Sequence, residues 1–215
     1  MSSEPILLIV SSPSGAGKTT LARQFLERVP DTRFSVSHTT RKPRAGEQDG
    51  REYHFVGRET FEKLIELDEF LEWAEVHGNL YGTSRREIHR TDGTQGILFD
   101  IDHQGARQIK STHPDAVAVF ILPPSMEVLE RRLRGRASED EATVQRRFAV
   151  ARAEIEHYGL FDYVMVNDDL DSAVVQLVSI YRAEGARRRR AAHKAERLLA
   201  ESRGFGGLRP PQPKP

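Results

Sequence analysis

The apolar run from Ile6 to Val10, ILLIV, passes directly into SSPSGAGKTT. Five apolar residues bounded by turn formers are too few for a buried helix and read as a strand covered on both faces, the kind found in parallel sheets. The same grammar returns at Ile97 to Ile101, Val117 to Leu122 and Tyr163 to Val166, each run followed by a longer segment with helically spaced apolar residues. Strand then helix, repeated, predicts an α/β fold: a three-layer core with a parallel sheet joined by right-handed crossovers.

The turn after the first run has the chemistry of a phosphate-binding loop. Such a loop asks for glycine, any four residues, then Gly-Lys-Ser/Thr; Gly17, Lys18 and Thr19 satisfy the end, and Ser12 stands where the first glycine is expected. With a strand before it and a helix after, the backbone amides from Ser14 to Thr19 are expected to wrap a phosphate at the positive end of the helix dipole. Lys18 would reach the β- and γ-phosphates, and the Thr19 hydroxyl would be a ligand for Mg²⁺. A serine at position 12 fits the loop entrance if its backbone is unstrained, and poorly if a positive φ is needed there. The competing reading is a polar turn with a solvated lysine.

Asp100 and Asp102, in ILFDID, close the second run, where ligand sites of open parallel sheets collect. One is expected to hold Mg²⁺ or touch a second substrate; the alternative is that they cap the helix beginning near Gln104, and Asp100, the farther from it, is the better functional candidate.

Between the first two runs the pattern changes to short alternating pieces, FSVSHTT and REYHFVG, followed by FEKLIELDEFLEWAEV, which reads as helical. Residues 35–90 are therefore expected to form an inserted lobe. Residues 1–34 plus 91–186 form the core, with a lid at about 131–152, and 187–215 a basic helical extension and disordered tail. In SHTTRKPR, Arg41 and Arg44 sit on a segment stiffened by Pro43, an arrangement suited to a phosphate monoester or equally to a solvated basic turn. The hydroxyls of Tyr53 and Tyr81 are candidate donors to the same oxygens. On the helical reading, Glu72 is an exposed residue of an amphipathic face.

Composition removes other classes. Thirty-two basic residues balance 32 acidic ones, so no global field draws the chain to nucleic acid or anionic lipid, and there is no cysteine for a disulfide framework or thiolate metal site. The apolar runs are too short to cross a bilayer and no signal peptide is indicated, so a cytoplasmic protein is expected. Nothing in the sequence sets an oligomeric state.

Six pieces in order, SPSGAGKTT, FSVSHTTRKPRAGEQDGREYHFV, FLEWAEVHGNLYGTS, ILFDIDHQGA, RRLRGR and VMVNDDL, resemble the guanylate kinase family of ATP:GMP phosphotransferases, from the first strand to about residue 185. The resemblance implies that Ser12, Pro13, Ser14, Gly15, Ala16, Gly17, Lys18 and Thr19 cradle the phosphates of ATP. It places Ser37, Arg41, Arg44, Tyr53 and Tyr81 on the phosphate of GMP, and Glu72, Thr83 and Asp100 on guanine. Family members often carry serine at the position of Thr83, which keeps the hydroxyl. A carboxylate accepts from the adjacent N1–H and 2-amino groups of guanine, and a hydroxyl donates to O6; adenine matches neither.

From the arginine-rich stretch, the resemblance brings Arg132, Arg136 and Arg147 to the ATP phosphates, where lid arginines would stabilise the migrating group. The other reading of that stretch is a charged helical hairpin whose arginines pair with neighbouring acids. Lys18, Arg44, Arg136 and Arg147 are the expected catalytic residues, with Thr19 and Asp100 toward Mg²⁺. Asn167 and Asp168 are placed near adenine, Asp168 having helix capping as its alternative. ATP and GMP are the implied substrates, with dGMP a further candidate. Two other readings remain at this point: a kinase for another phosphate-bearing acceptor, and a silent domain that binds phosphorylated protein through the acceptor site.

Overall fold

The computed structural model describes residues 5–76, 78–89, 93–135 and 141–204. Arg136 lies outside the described residues, as does the closing Gly- and Pro-rich segment from 205 onward. The chain begins β1 (Ile6–Ser11), α1 (Lys18–Arg28), β2 (Thr32–Phe34), β3 (His38–Thr39), β4 (His54–Phe55), α2 (Arg58–Glu66), β5 (Phe70–Val76), β6 (Asn79–Ser84) and α3 (Arg86–His89). It continues β7 (Gly96–Asp100), α4 (His103–Thr112), β8 (Val117–Leu122), α5 (Met126–Arg134), α6 (Glu141–Ile155), β9 (Tyr163–Val166), α7 (Leu170–Ala186) and α8 (Arg188–Gly204). A 3₁₀ turn, Glu156–Leu160, joins α6 to β9.

The four expected core strands are present, joined by a fifth, β2, in the order β2-β7-β1-β8-β9 with every pairing parallel. The three residues of β2, Thr-Arg-Phe, are too few and too polar to register as an apolar run. Central β1 shows why its sequence is apolar throughout. Ile6, Leu8 and Val10 pack with Leu21 and Phe25 of α1 and with Val174 and Leu177 of α7, while Leu7 and Ile9 pack with Ala106 and Ile109 of α4. Helices thus cover both faces, giving three layers. Each fully buried Leu, Ile or Phe contributes roughly 1.5–3 kcal/mol.

The segment between β2 and β7 builds a second sheet, ordered β4-β3-β6-β5, antiparallel except for the β3–β4 pair. Here the expectation of one long helix over FEKLIELDEFLEWAEV fails. The helix stops at Glu66 and FLEWAEV becomes strand β5. The break is local: Asp68 takes a left-handed φ of 52°, its amide bonds to the Ile65 carbonyl and the Glu69 amide to the Leu64 carbonyl. This is the paired reverse bonding that terminates helices. Beyond it, Phe70 stacks on Phe61 at 4.5 Å to form, with Leu80, a small core of the second sheet.

The arginine run at 187–190 does not extend α7. The chain turns at Arg187, and the run pins α8 back on the core: Arg187 pairs with buried Glu184 at 2.9 Å, Arg189 pairs with Asp115, and Arg190 donates to the Asp115 carbonyl at 2.5 Å.

Candidate active site

The loop between β1 and α1 has the backbone its glycines predict. Gly15 and Gly17 adopt φ of 93° and 92°, left-handed values a side chain opposes. Space agrees, since a Cβ would lie 3.0 Å from Leu129 at Gly15 and 2.6 Å from the Asn167 amide nitrogen at Gly17. Ser12 has no positive φ and its hydroxyl donates to the Pro13 carbonyl at 3.1 Å, so serine sits at the loop entrance without strain. No side chain caps the start of α1 at Gly17, which leaves its first amides directed at whatever the loop holds.

Side chains expected near ATP brace this loop. Asn167 is buried and its amide donates to the Ala16 carbonyl at 2.8 Å; Arg132 donates to the same carbonyl at 3.3 Å and to that of Asn167 at 3.4 Å. Asp168 is exposed and does not cap α7: Asp169 does, accepting from the Ser172 amide at 2.9 Å. Arg147 is half-buried on α6, and Thr19 is exposed on the first turn of α1.

Lys18 crosses from α1 to the end of β7, where it forms an ion pair with Asp100 and donates to the Ile101 carbonyl at 3.3 Å. Asp102 has the capping role instead, accepting from the amides of Gln104 and Gly105 at 3.0 Å each. The two acids of ILFDID are thereby separated, one facing the lysine and the other spent on α4.

A cavity of about 220 Å³ opens beside this pair, bordered by Lys18 and Asp100 from the core and by Ser37, Glu72 and Tyr81 from the second sheet. Arg41, Arg44 and Tyr53 line it as well, and Asp102, though it caps α4, also borders it. Tyr53 and Tyr81 meet edge to face at 5.9 Å, and the Arg41 guanidinium lies 5.4 Å from the Tyr53 ring centre. Burial pushes the Tyr53 phenol up to about 12, with Asp100 adding to it, so Tyr53 keeps its proton and remains a donor.

Glu47 went unnoticed in the sequence. Its carboxylate accepts from Arg41 at 2.9 Å and from the Arg44 amide at 2.7 Å, holding both anchors in one turn. An acid three residues after Arg44 was the available signal.

At the cavity's inner end, Glu72 is 4% exposed, which overturns its reading as a surface residue of a helix. Strand pairing sets it opposite Thr83. The Thr83 hydroxyl donates to Glu72 at 2.6 Å and shares a 2.9 Å hydrogen bond with Ser37. The outer carboxylate oxygen lies where a Cβ at Gly105 would be only 2.5 Å away. Burial drives the Glu72 carboxyl up to about 7, the Thr83 hydrogen bond opposing the shift and Asp102 adding to it.

A phosphate loop at the carboxyl end of a parallel sheet, facing a second sheet with paired arginines and a buried acid, defines a class: a nucleotide-dependent kinase of the phosphate-loop type. Known proteins narrow it. The family model described as guanylate kinase matches residues 4–184. Guanylate kinase from Aromatoleum aromaticum is 53% identical over 194 residues, covering 90% of this chain and 94% of its own. That from Dechloromonas aromatica is 50% identical, covering 90% and 98%. The crystal structure of guanylate kinase from Anaplasma phagocytophilum superposes with a TM-score of 0.73 at 36% identity, covering 88% of this chain and 90% of that one. The chain belongs to the guanylate kinase family.

Proposed function

We propose that the protein transfers the γ-phosphoryl group of ATP to GMP, giving ADP and GDP, with the donor on the loop and the acceptor in the cavity beside it. The observation that carries this reading is the buried Glu72–Thr83–Ser37 chain at the end of a cavity that also holds the arginine pair and Lys18. Ionised Glu72 accepts from the two adjacent donors of guanine, and the Thr83 hydroxyl is available to O6 once its bond to Glu72 is exchanged. Arg41, Arg44, Tyr53, Tyr81 and Ser37 then receive the phosphate.

The acceptor is already an anionic phosphate oxygen, so no general base is needed, and catalysis reduces to alignment and charge stabilisation. Lys18 leaves Asp100 for the transferring group. Arg132 and Arg147, with Arg136 from outside the described residues, screen the phosphates, and closure of α5 and α6 over the loop excludes water that would otherwise accept the phosphoryl group.

The residues suit a hard cation. Thr19 offers a hydroxyl on the first turn of α1, and Asp100 a carboxylate beside Lys18; these would hold Mg²⁺, which when bound neutralises charge on the donor's phosphate oxygens. Among the described residues no helix is long and apolar enough to cross a membrane.

A coupled assay of ADP formation against GMP and AMP tests the reading. The unmutated protein is expected to prefer GMP by orders of magnitude, and Glu72→Ala to lose most of that preference, roughly 10²-fold or more, because a site built to pair donors discriminates by leaving them unpaired. Full retention of the preference in Glu72→Ala would sink the assignment of the cavity.

A further inference from the structure

The Ser14 amide, the first of the loop amides assigned to phosphate, already has a partner. It donates to Oε2 of Glu154 at 3.0 Å, across 140 positions of sequence. Glu154 is half-buried near the end of α6, the outer helix of the lid pair. The inner helix, α5, packs against the same loop, with Leu129 and Leu133 closing the space above Gly15. A carboxylate oxygen therefore occupies a backbone donor in a loop shaped for anionic oxygens, beside an uncapped helix start.

We propose that Glu154 is an internal competitor for the phosphate loop, a residue that holds α6 on that loop and that the incoming donor nucleotide must displace. The proposal rests on the reading of the loop as the ATP site. One N–H makes one strong hydrogen bond, so the carboxylate and a phosphate oxygen cannot both take the Ser14 amide, and their like charges oppose joint occupancy. Charge adds to geometry: the end of the α1 dipole that attracts phosphate attracts carboxylate by the same mechanism.

The contact also ties donor binding to the lid. Glu154 and Arg147 stand seven residues apart on α6, two helical turns, and share a face. Release of Glu154 frees that face to re-seat, so the helix that contacts the Ser14 amide is the one that carries an arginine assigned to the donor phosphates. Glu154 is thus a positioning residue: it sets donor affinity and takes no part in the transfer.

The test is the affinity for ADP without GMP, measured by calorimetry on the full chain for the unmutated protein, Glu154→Gln and Glu154→Ala, with thermal melts of each free protein. Glu154→Gln preserves shape and removes charge, which guards against loss of fold. Both variants are expected to bind ADP more tightly, roughly three- to tenfold, reflecting removal of one charge-assisted competitor. GMP affinity should be unchanged. A supporting role for the lid predicts the opposite sign, since loosening α6 would weaken ADP. Equal or weaker ADP binding by both variants, with normal binding by the unmutated protein, overturns the proposal alone. Failure of the unmutated protein to bind ADP overturns the donor-loop reading and the proposal with it.

Discussion

Glu72 illustrates how far one residue's surroundings change its chemistry. In water its carboxyl would ionise in the ordinary range near 4.5; enclosed by β5, β6 and α4 it is pushed up to about 7. The free protein therefore gains from a neutral Glu72 at low pH and loses that gain as the pH rises from the ordinary value through about 7. At about 1.4 kcal/mol per unit, an ionised Glu72 costs on the order of 3 kcal/mol at pH 8. Glu72→Gln is accordingly expected to raise the melting temperature of the ligand-free protein at pH 8 and to raise it much less at pH 5. Equal shifts at both values would show that the residue is not carrying a buried charge. On the proposed reading of the cavity, the cost of ionising Glu72 is the consequence of keeping a carboxylate ready for guanine's donors.

At the scale of elements, the turn at Asp68 decides whether the second sheet has its β5 strand. The two reverse bonds at the end of α2 need a left-handed residue, and aspartate accepts that conformation at some cost where glycine would not. Asp68 also pairs with Arg85 at 2.8 Å, an exposed contact of small value. Asp68→Gly should therefore stabilise the protein slightly, by about 0.5 kcal/mol once the lost pair and the looser unfolded chain are counted. Urea denaturation measures this, and a clear loss of stability would mean that the Arg85 pair outweighs the backbone strain. Helix α5 shows the same local logic: Ser125 caps it by accepting from the Val128 amide, and its apolar side rests on the phosphate loop.

Over the whole molecule, the site depends on how the second sheet meets the core. α4 carries Gln108, whose side-chain amide bridges the Trp73 backbone in both directions, at 3.1 and 2.7 Å, and Gly105, against which Glu72 lies. A methyl at Gly105 would meet the far end of the Glu72 side chain, which can move, and alanine is the better helix former. If Glu72 reads guanine as proposed, Gly105→Ala is expected to leave the melting temperature nearly unchanged while raising KM for GMP roughly tenfold, because the carboxylate is pushed from its place. Unaltered KM with unaltered stability would show that the acid reaches its working position from elsewhere.

Much of this was legible in the chain. ILLIV, the glycine spacing and the recurring strand–helix units specified a parallel α/β core, since apolar period and turn chemistry are local properties. Lys18 and Ser12 stood out by their places in the phosphate-loop spacing, Asp100 by closing an apolar strand, and SHTTRKPR by its clustered basic residues, all of them readable along the chain. Other features were invisible for physical reasons. β2 is too short to show a period, and FLEWAEV satisfies helical and alternating spacing alike until Asp68 breaks the helix. The partners of Glu47 and Glu154 exist only across folded space. The sequence by itself determined the core's class, the phosphate loop and the family. Tertiary structure alone decided that Glu72 is buried against Thr83, that Asp102 serves a helix while Asp100 faces Lys18, and that Glu154 of α6 occupies the Ser14 amide. Those are outcomes of burial and long-range hydrogen bonding, which depend on what the rest of the chain places nearby.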